Sequence, residues 1–172
     1  MIPPPAPKRS PADPADAVAK AEDISRVIAA TIERAATFSE DELQRGVNDE
    51  WSTVQSLRHM TFVIDAWLGK TIQGEEDAFH PIGLPPHFVG ATVPGSSIDP
   101  DAAPTFGQAC DALGGRLETL HAYISQVTDE DLARDIGGHA ETVAGGLGVI
   151  FDELTFHAGF VNRDLDIVAA LP

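Results

Sequence analysis

The stretch from Val54 to Ile72 limits what this chain can fold into more than any other. It contains no proline and one glycine, Gly69. Its apolar residues, Leu57, Met60, Phe62, Val63, Ile64, Ala66, Trp67 and Leu68, fall on nearly every face of a helix. A helix with no polar side to show to water belongs at the centre of a larger helical assembly. Ser52 and Gln55 fit a capping box that fixes its start. Arg58 and His59 are therefore carried into a mostly apolar helix.

Three further segments supply partners. Asp13 can cap a first helix, with Pro14 at its first position and Asp16 in its first turn. Ile24, Val27, Ile28, Thr31, Ile32 and Ala35 follow at helical spacing, and this helix is expected to end near Phe38. The polar stretch that follows, with SEDEL, allows one short helical turn. Phe106, Cys110, Leu113, Leu117, Leu120 and Ile124 alternate steps of four and three, the period of a packed seam. Thr128 and Asp131 then suit a local cap. A last helix begins near Thr142, with Val143, Leu147, Ile150, Leu154, His157, Val161, Leu165 and Val168 on one stripe. Gly145, Gly146 and Gly148 lie inside it. Each costs about 1 kcal/mol against alanine, so each calls for close packing or for space kept for a ligand.

Residues 74–104 hold Pro81, Pro85, Pro86, Pro94, Pro100 and Pro104 with four glycines, and show no sustained period. So long a connection in a small domain is commonly functional. No segment alternates convincingly as a strand. The expected fold is all-α: a four-helix bundle over 14–172 with a long crossover between its second and third helices. Residues 1–13 read as a disordered, proline-rich tail.

Charge narrows the function. Eleven Lys and Arg oppose 27 Asp and Glu, for a net charge of −16. Nucleic-acid binding needs the opposite balance, and so does an anionic membrane surface. No apolar run reaches the length that spans a bilayer. The N-terminus lacks the apolar stretch of an export signal, which makes a cytoplasmic location the expectation. Cys110 is the single cysteine, so no internal disulfide can form. On its seam it reads as an inert core thiol.

Glu153 and His157 stand four apart and so project from one helical face. His157 is on the apolar stripe and should point inward, as should His59. Bundle cores build metal sites from such carboxylates and imidazoles on facing helices. Two neutral imidazoles and one carboxylate leave coordination positions open, which suits a catalytic divalent ion. Simpler roles compete: a surface pair for Glu153 and His157, a hydrogen-bonded core histidine for His59. Phe62, Trp67 and Phe160 read as core rather than as a substrate platform.

The segment DEWSTVQSLRHMTFVIDAWL, residues 49–68, resembles the second-helix signature of the DinB superfamily, in its actinobacterial-type branch. FHPIGLP, residues 79–85, resembles the start of that branch's crossover, and DELTFHAGFVNRDL, residues 152–165, its fourth-helix signature. The resemblance covers roughly residues 40–168, with the motifs in order. It implies a four-helix bundle with a long second-to-third crossover, often dimeric, so that a homodimer is expected. It also implies a metal held by one His on the second helix and two residues four apart on the fourth. Members similar to mycothiol-dependent maleylpyruvate isomerase use His, Glu and His there, which fall on His59, Glu153 and His157. Zinc, nickel, iron or manganese occupies the site in such proteins, with zinc the first expectation here. The chain departs from the pattern at Gly145, Gly146, Gly148, Leu154 and Thr155, where bulkier or more polar residues are usual, implying a wider pocket. With Pro172 as the last residue, no second, thiol-binding domain is expected to follow.

The leading expectation is thiol transfer. A metal ion would deprotonate a low-molecular-weight thiol, mycothiol- or bacillithiol-like, beside a small electrophilic substrate. Arg58, Arg163, His80 and His87 are candidates for orienting substrate or thiol, although a salt bridge is the plainer role for either arginine. Asp65 and Asp164 are candidates for orienting the ligand imidazoles. Two alternatives stay open: a metal-dependent hydrolase or isomerase acting without thiol, and a non-catalytic, stress-associated bundle holding a small ligand beside its glycines.

Overall fold

The computed structural model describes residues 7–171. Helix α1 runs Pro14–Ala35, and Asp13 caps it by accepting from the Asp16 N–H. The short α2 (Glu40–Leu43) is the SEDEL turn, closed by a capping box between Ser39 and Glu42. Helix α3 (Thr53–Ile64) carries the Ser52–Gln55 box. Helix α4 (Phe106–Ile124) starts at Thr105, the short α5 (Asp129–Ala133) at Thr128, and α6 (Val143–Ala169) at Thr142. Each hydroxyl or carboxylate cap satisfies a backbone N–H that has no partner within the helix, and contributes about 1 kcal/mol.

The long helices close a ring. Helix α1 packs on α4 and α6, and α3 packs on the same two. Leu57, Met60, Leu113, Leu120, Leu147, Ile150 and Phe151 meet in its middle, almost fully buried. This is the all-α bundle that the patterning predicts. No helix among the described residues is long and apolar enough to cross a membrane.

Two local features depart from expectation. The second helix is not uniform: beyond Ile64 it widens into a π-helical segment, Asp65–Ile72, in which the Thr71 hydroxyl donates to the Ala66 carbonyl five residues back. Asp65, at the junction, is buried and held by the His80 N–H and by Arg116. A small antiparallel hairpin, β1 (Asp135–Gly137) with β2 (Glu141–Thr142), precedes α6, where no strand was expected. Strands this short carry no alternation to detect. The left-handed Gly137 and Gly138 make their turn.

The glycines of α6 are explained by packing. A Cβ on Gly145 would stand 1.8 Å from the Ala140 carbonyl oxygen, and one on Gly146 would press on Ile136 and Ile72. The hairpin therefore lies directly on the helix. Gly148 makes room for Ser10, whose Oγ would be 2.5 Å from an added Cβ. Lys8 donates its backbone N–H to Asp152 at 2.7 Å, and the Arg9 guanidinium pairs with the same carboxylate at 2.9 Å. Protein fills the space beside the glycines, so the wider pocket and the glycine-lined ligand cavity are not found there. Residues 1–6 of the expected tail lie outside the described residues.

The first part of the crossover, together with Ile98, is fastened to α3. A satellite core of Phe62, Ala78, Phe79 and Ile98 sits beneath it, with Phe62 and Phe79 stacked. The Leu84 N–H donates to the Arg58 carbonyl, and the Arg58 guanidinium donates to the Ile82 carbonyl at 2.8 Å.

Candidate metal centre

His59 lies on α3, nearly two turns before the π-helical segment, and Glu153 and His157 lie one turn apart on α6. Packing of α3 against α6 turns all three toward one another. One ligand atom from each lies within 4.8 Å of the others. Glu153 Oε2 is 3.4 Å from His157 Nε2 and 3.9 Å from His59 Nε2. Ligands about 2.1 Å from a tetrahedral ion stand about 3.4 Å apart, the spacing that Glu153 and His157 already have.

The chemistry of the donors fits a divalent ion. His59 Nδ1 is 2.8 Å from the Leu84 carbonyl. A carbonyl only accepts, so Nδ1 carries the proton and the Nε2 lone pair faces the cluster. The residue that orients this imidazole is thus Leu84, on the crossover. Burial pushes His59 down to about 4, with the neighbouring His157 adding to the shift against the Leu84 hydrogen bond and Glu153. The ring is neutral and ready to coordinate near pH 7. The Glu153 carboxyl is held below its ordinary value, first by the hydrogen bond from His157, and stays ionised. Both histidines are buried, while the Glu153 side chain is 42% exposed. The exposed carboxylate gives the cluster a side open to solvent.

A pocket of about 290 Å³ adjoins the cluster, lined by Asp49, Glu50, Trp51, Ser56, His87, His157, Phe160 and Asp164. Trp51, which the sequence patterning did not single out, stands beside the cluster. Its ring centroid is 4.6 Å from that of His59, 4.9 Å from His87 and 5.8 Å from His157. A tight turn places it there. Asn48 and Asp49 adopt left-handed backbone, which these residue types tolerate, and Gly46 leaves room for the Glu50 carbonyl. Its position immediately before the Ser52 cap was the available clue, since a large apolar residue there packs back over the first turn. Phe160 also lines this pocket rather than the core, whereas Phe62 is core and Trp67 packs against the core with its ring edge-to-face with His139.

The other candidates scatter. His87 joins the pocket from the crossover. His80 faces a separate hollow beside Ile82 and Gln108, and its Nδ1 accepts from the Ile82 N–H. Arg58 is buried and bound to the Ile82 carbonyl. Arg163 is paired with Glu50 and Asp164, the salt-bridge role foreseen for it. Asp164 borders the pocket and accepts from Arg163 Nε at 2.8 Å. Asp65 is engaged by Arg116 and the His80 N–H rather than by an imidazole. Cys110 is half-buried, and burial pushes its thiol up to about 11, so it stays protonated.

A bundle whose buried second-helix histidine meets a carboxylate and a histidine on its last helix carries a cluster that could hold a metal ion. A family model described as the DinB superfamily matches residues 23–161. The chain belongs to that superfamily. No match is found among curated proteins or among solved structures.

Proposed function

We propose that this protein is a metal-dependent enzyme in which His59, Glu153 and His157 hold a divalent ion, zinc first, for use with a low-molecular-weight thiol of the mycothiol or bacillithiol kind. The observation that carries this reading is the convergence of three ligand atoms within 4.8 Å, one of them with its tautomer set by a backbone carbonyl. When bound, a divalent cation supplies a Lewis acid that lowers the pKa of a thiol brought to it. The chain's own groups do the rest. Leu84 fixes the His59 ring, the buried imidazoles keep one side of the site dry, and Trp51 walls the pocket where a small electrophile would lie. Nickel, iron and manganese suit the same donors.

The test is metal content by plasma mass spectrometry on wild type, His59→Ala and His157→Ala, followed by turnover assays with and without added thiol. Near-stoichiometric metal in the wild type, reduced at least tenfold in both variants, is expected. Turnover that depends on thiol supports transfer, and metal-dependent turnover without thiol points to hydrolysis or isomerisation. Little metal in all three proteins after incubation with zinc and nickel sinks the reading.

A further inference from the structure

We infer that the pocket beside the metal centre takes an uncharged or cationic small molecule with an aromatic or apolar body, and disfavours carboxylates. This rests on the reading above in taking that pocket as the substrate side of the site. The argument is one of charge and size. Asp49, Glu50 and Asp164 line the pocket, and no lysine or arginine does among the described residues. The nearest guanidinium, Arg163, is already committed. Its Nη2 meets both Glu50 and Asp164, its Nε donates to Asp164, and its Cζ lies 4.5 Å from the centre of the Phe160 ring. Arg58, the other basic residue close in sequence to the ligands, is buried and turned to the Ile82 carbonyl. Apart from the metal ion itself, an anionic guest would therefore enter a chain of net charge −16 and meet three carboxylates with no free basic side chain among the described residues lining the pocket. The walls offer rings instead. Trp51 and Phe160 supply aromatic surface, which attracts apolar bodies and, through ring faces, cations. About 290 Å³ accommodates a single substituted ring and little more.

Three probes of matched shape test this: benzylamine, benzyl alcohol and benzoate. Binding is followed through Trp51 emission in a Trp67→Phe background, where Trp51 is the remaining tryptophan. Metal-free protein is used, so that benzoate gains nothing by coordination. Benzylamine and benzyl alcohol are expected to saturate, with benzoate at least tenfold weaker. An Asp49→Asn, Glu50→Gln protein, which removes two carboxylates and releases one arm of Arg163, should narrow that gap at least threefold. Benzoate binding as tightly as benzylamine, or no saturable binding by any probe, overturns the inference. Metal content is measured on the wild type as purified, before any metal is removed for the titrations. The metal reading fails there and the charge ranking fails in the titration, so the two failures are told apart.

Discussion

His59 is worth following as a single residue, because its environment sets both its chemistry and its effect on stability. Burial holds its folded value near 4, below the value of about 6.5 expected in an unfolded chain. The depressed value means that stability present above pH 6.5 is lost as pH falls toward 4, since the unfolded chain takes up a proton that the folded one refuses. Metal-free wild type should therefore lose about 2 kcal/mol from this residue between pH 7 and pH 5. Asp65, raised by burial to about 6, works in the opposite direction over the same window. The comparison must accordingly be made against His59→Gln by urea unfolding at the two pH values. The variant should be less acid-sensitive than wild type by about that amount. Equal sensitivity in the two proteins would mean that His59 is not buried as described.

At the scale of the element, α6 and α4 both carry interior glycines, yet their environments assign them opposite effects. Gly145 lies against the Ala140 carbonyl, with 1.8 Å between that oxygen and an added Cβ. The clash is with backbone, so Gly145→Ala must displace the hairpin, at a cost of about 2–3 kcal/mol. Gly114, inside α4, has nothing within 4 Å of an added Cβ. Gly114→Ala should stabilise the protein by about 0.5–1 kcal/mol, through helix propensity and a less flexible unfolded chain. Denaturant midpoints of the two variants check both signs at once. A neutral Gly145→Ala would show that the hairpin does not rest on α6.

For the whole molecule, the question is whether fold and site depend on each other. The main core joins α1, α3, α4 and α6 through Ile28, Leu57, Leu113, Leu147 and Phe151 and includes none of the three ligands. Chelation should accordingly leave the helical circular dichroism intact. Zinc at about 100 times its Kd should raise Tm by roughly 5–10 °C through binding to the folded state alone. Unfolding on chelation would make the metal structural, and an unchanged Tm would deny the site a metal.

The sequence alone determined the helices and their order. Caps at Asp13, Ser52, Thr105, Thr128 and Thr142 act within four residues, and apolar spacing marks one face, so both are local properties of the chain. Glu153 and His157 could be paired for the same reason, being one turn apart on one helix. Only the tertiary structure decided what crosses between elements. It brought His59 to them through the packing of α3 on α6 and chose the Leu84 carbonyl as its partner. It also set Trp51 over the cluster by a left-handed turn, and filled the space beside Gly145 and Gly148 with a hairpin and with Ser10. Such contacts join residues far apart in the chain. Which of many equally polar or aromatic candidates meet is fixed by the close packing of the whole core, not by any spacing along one segment.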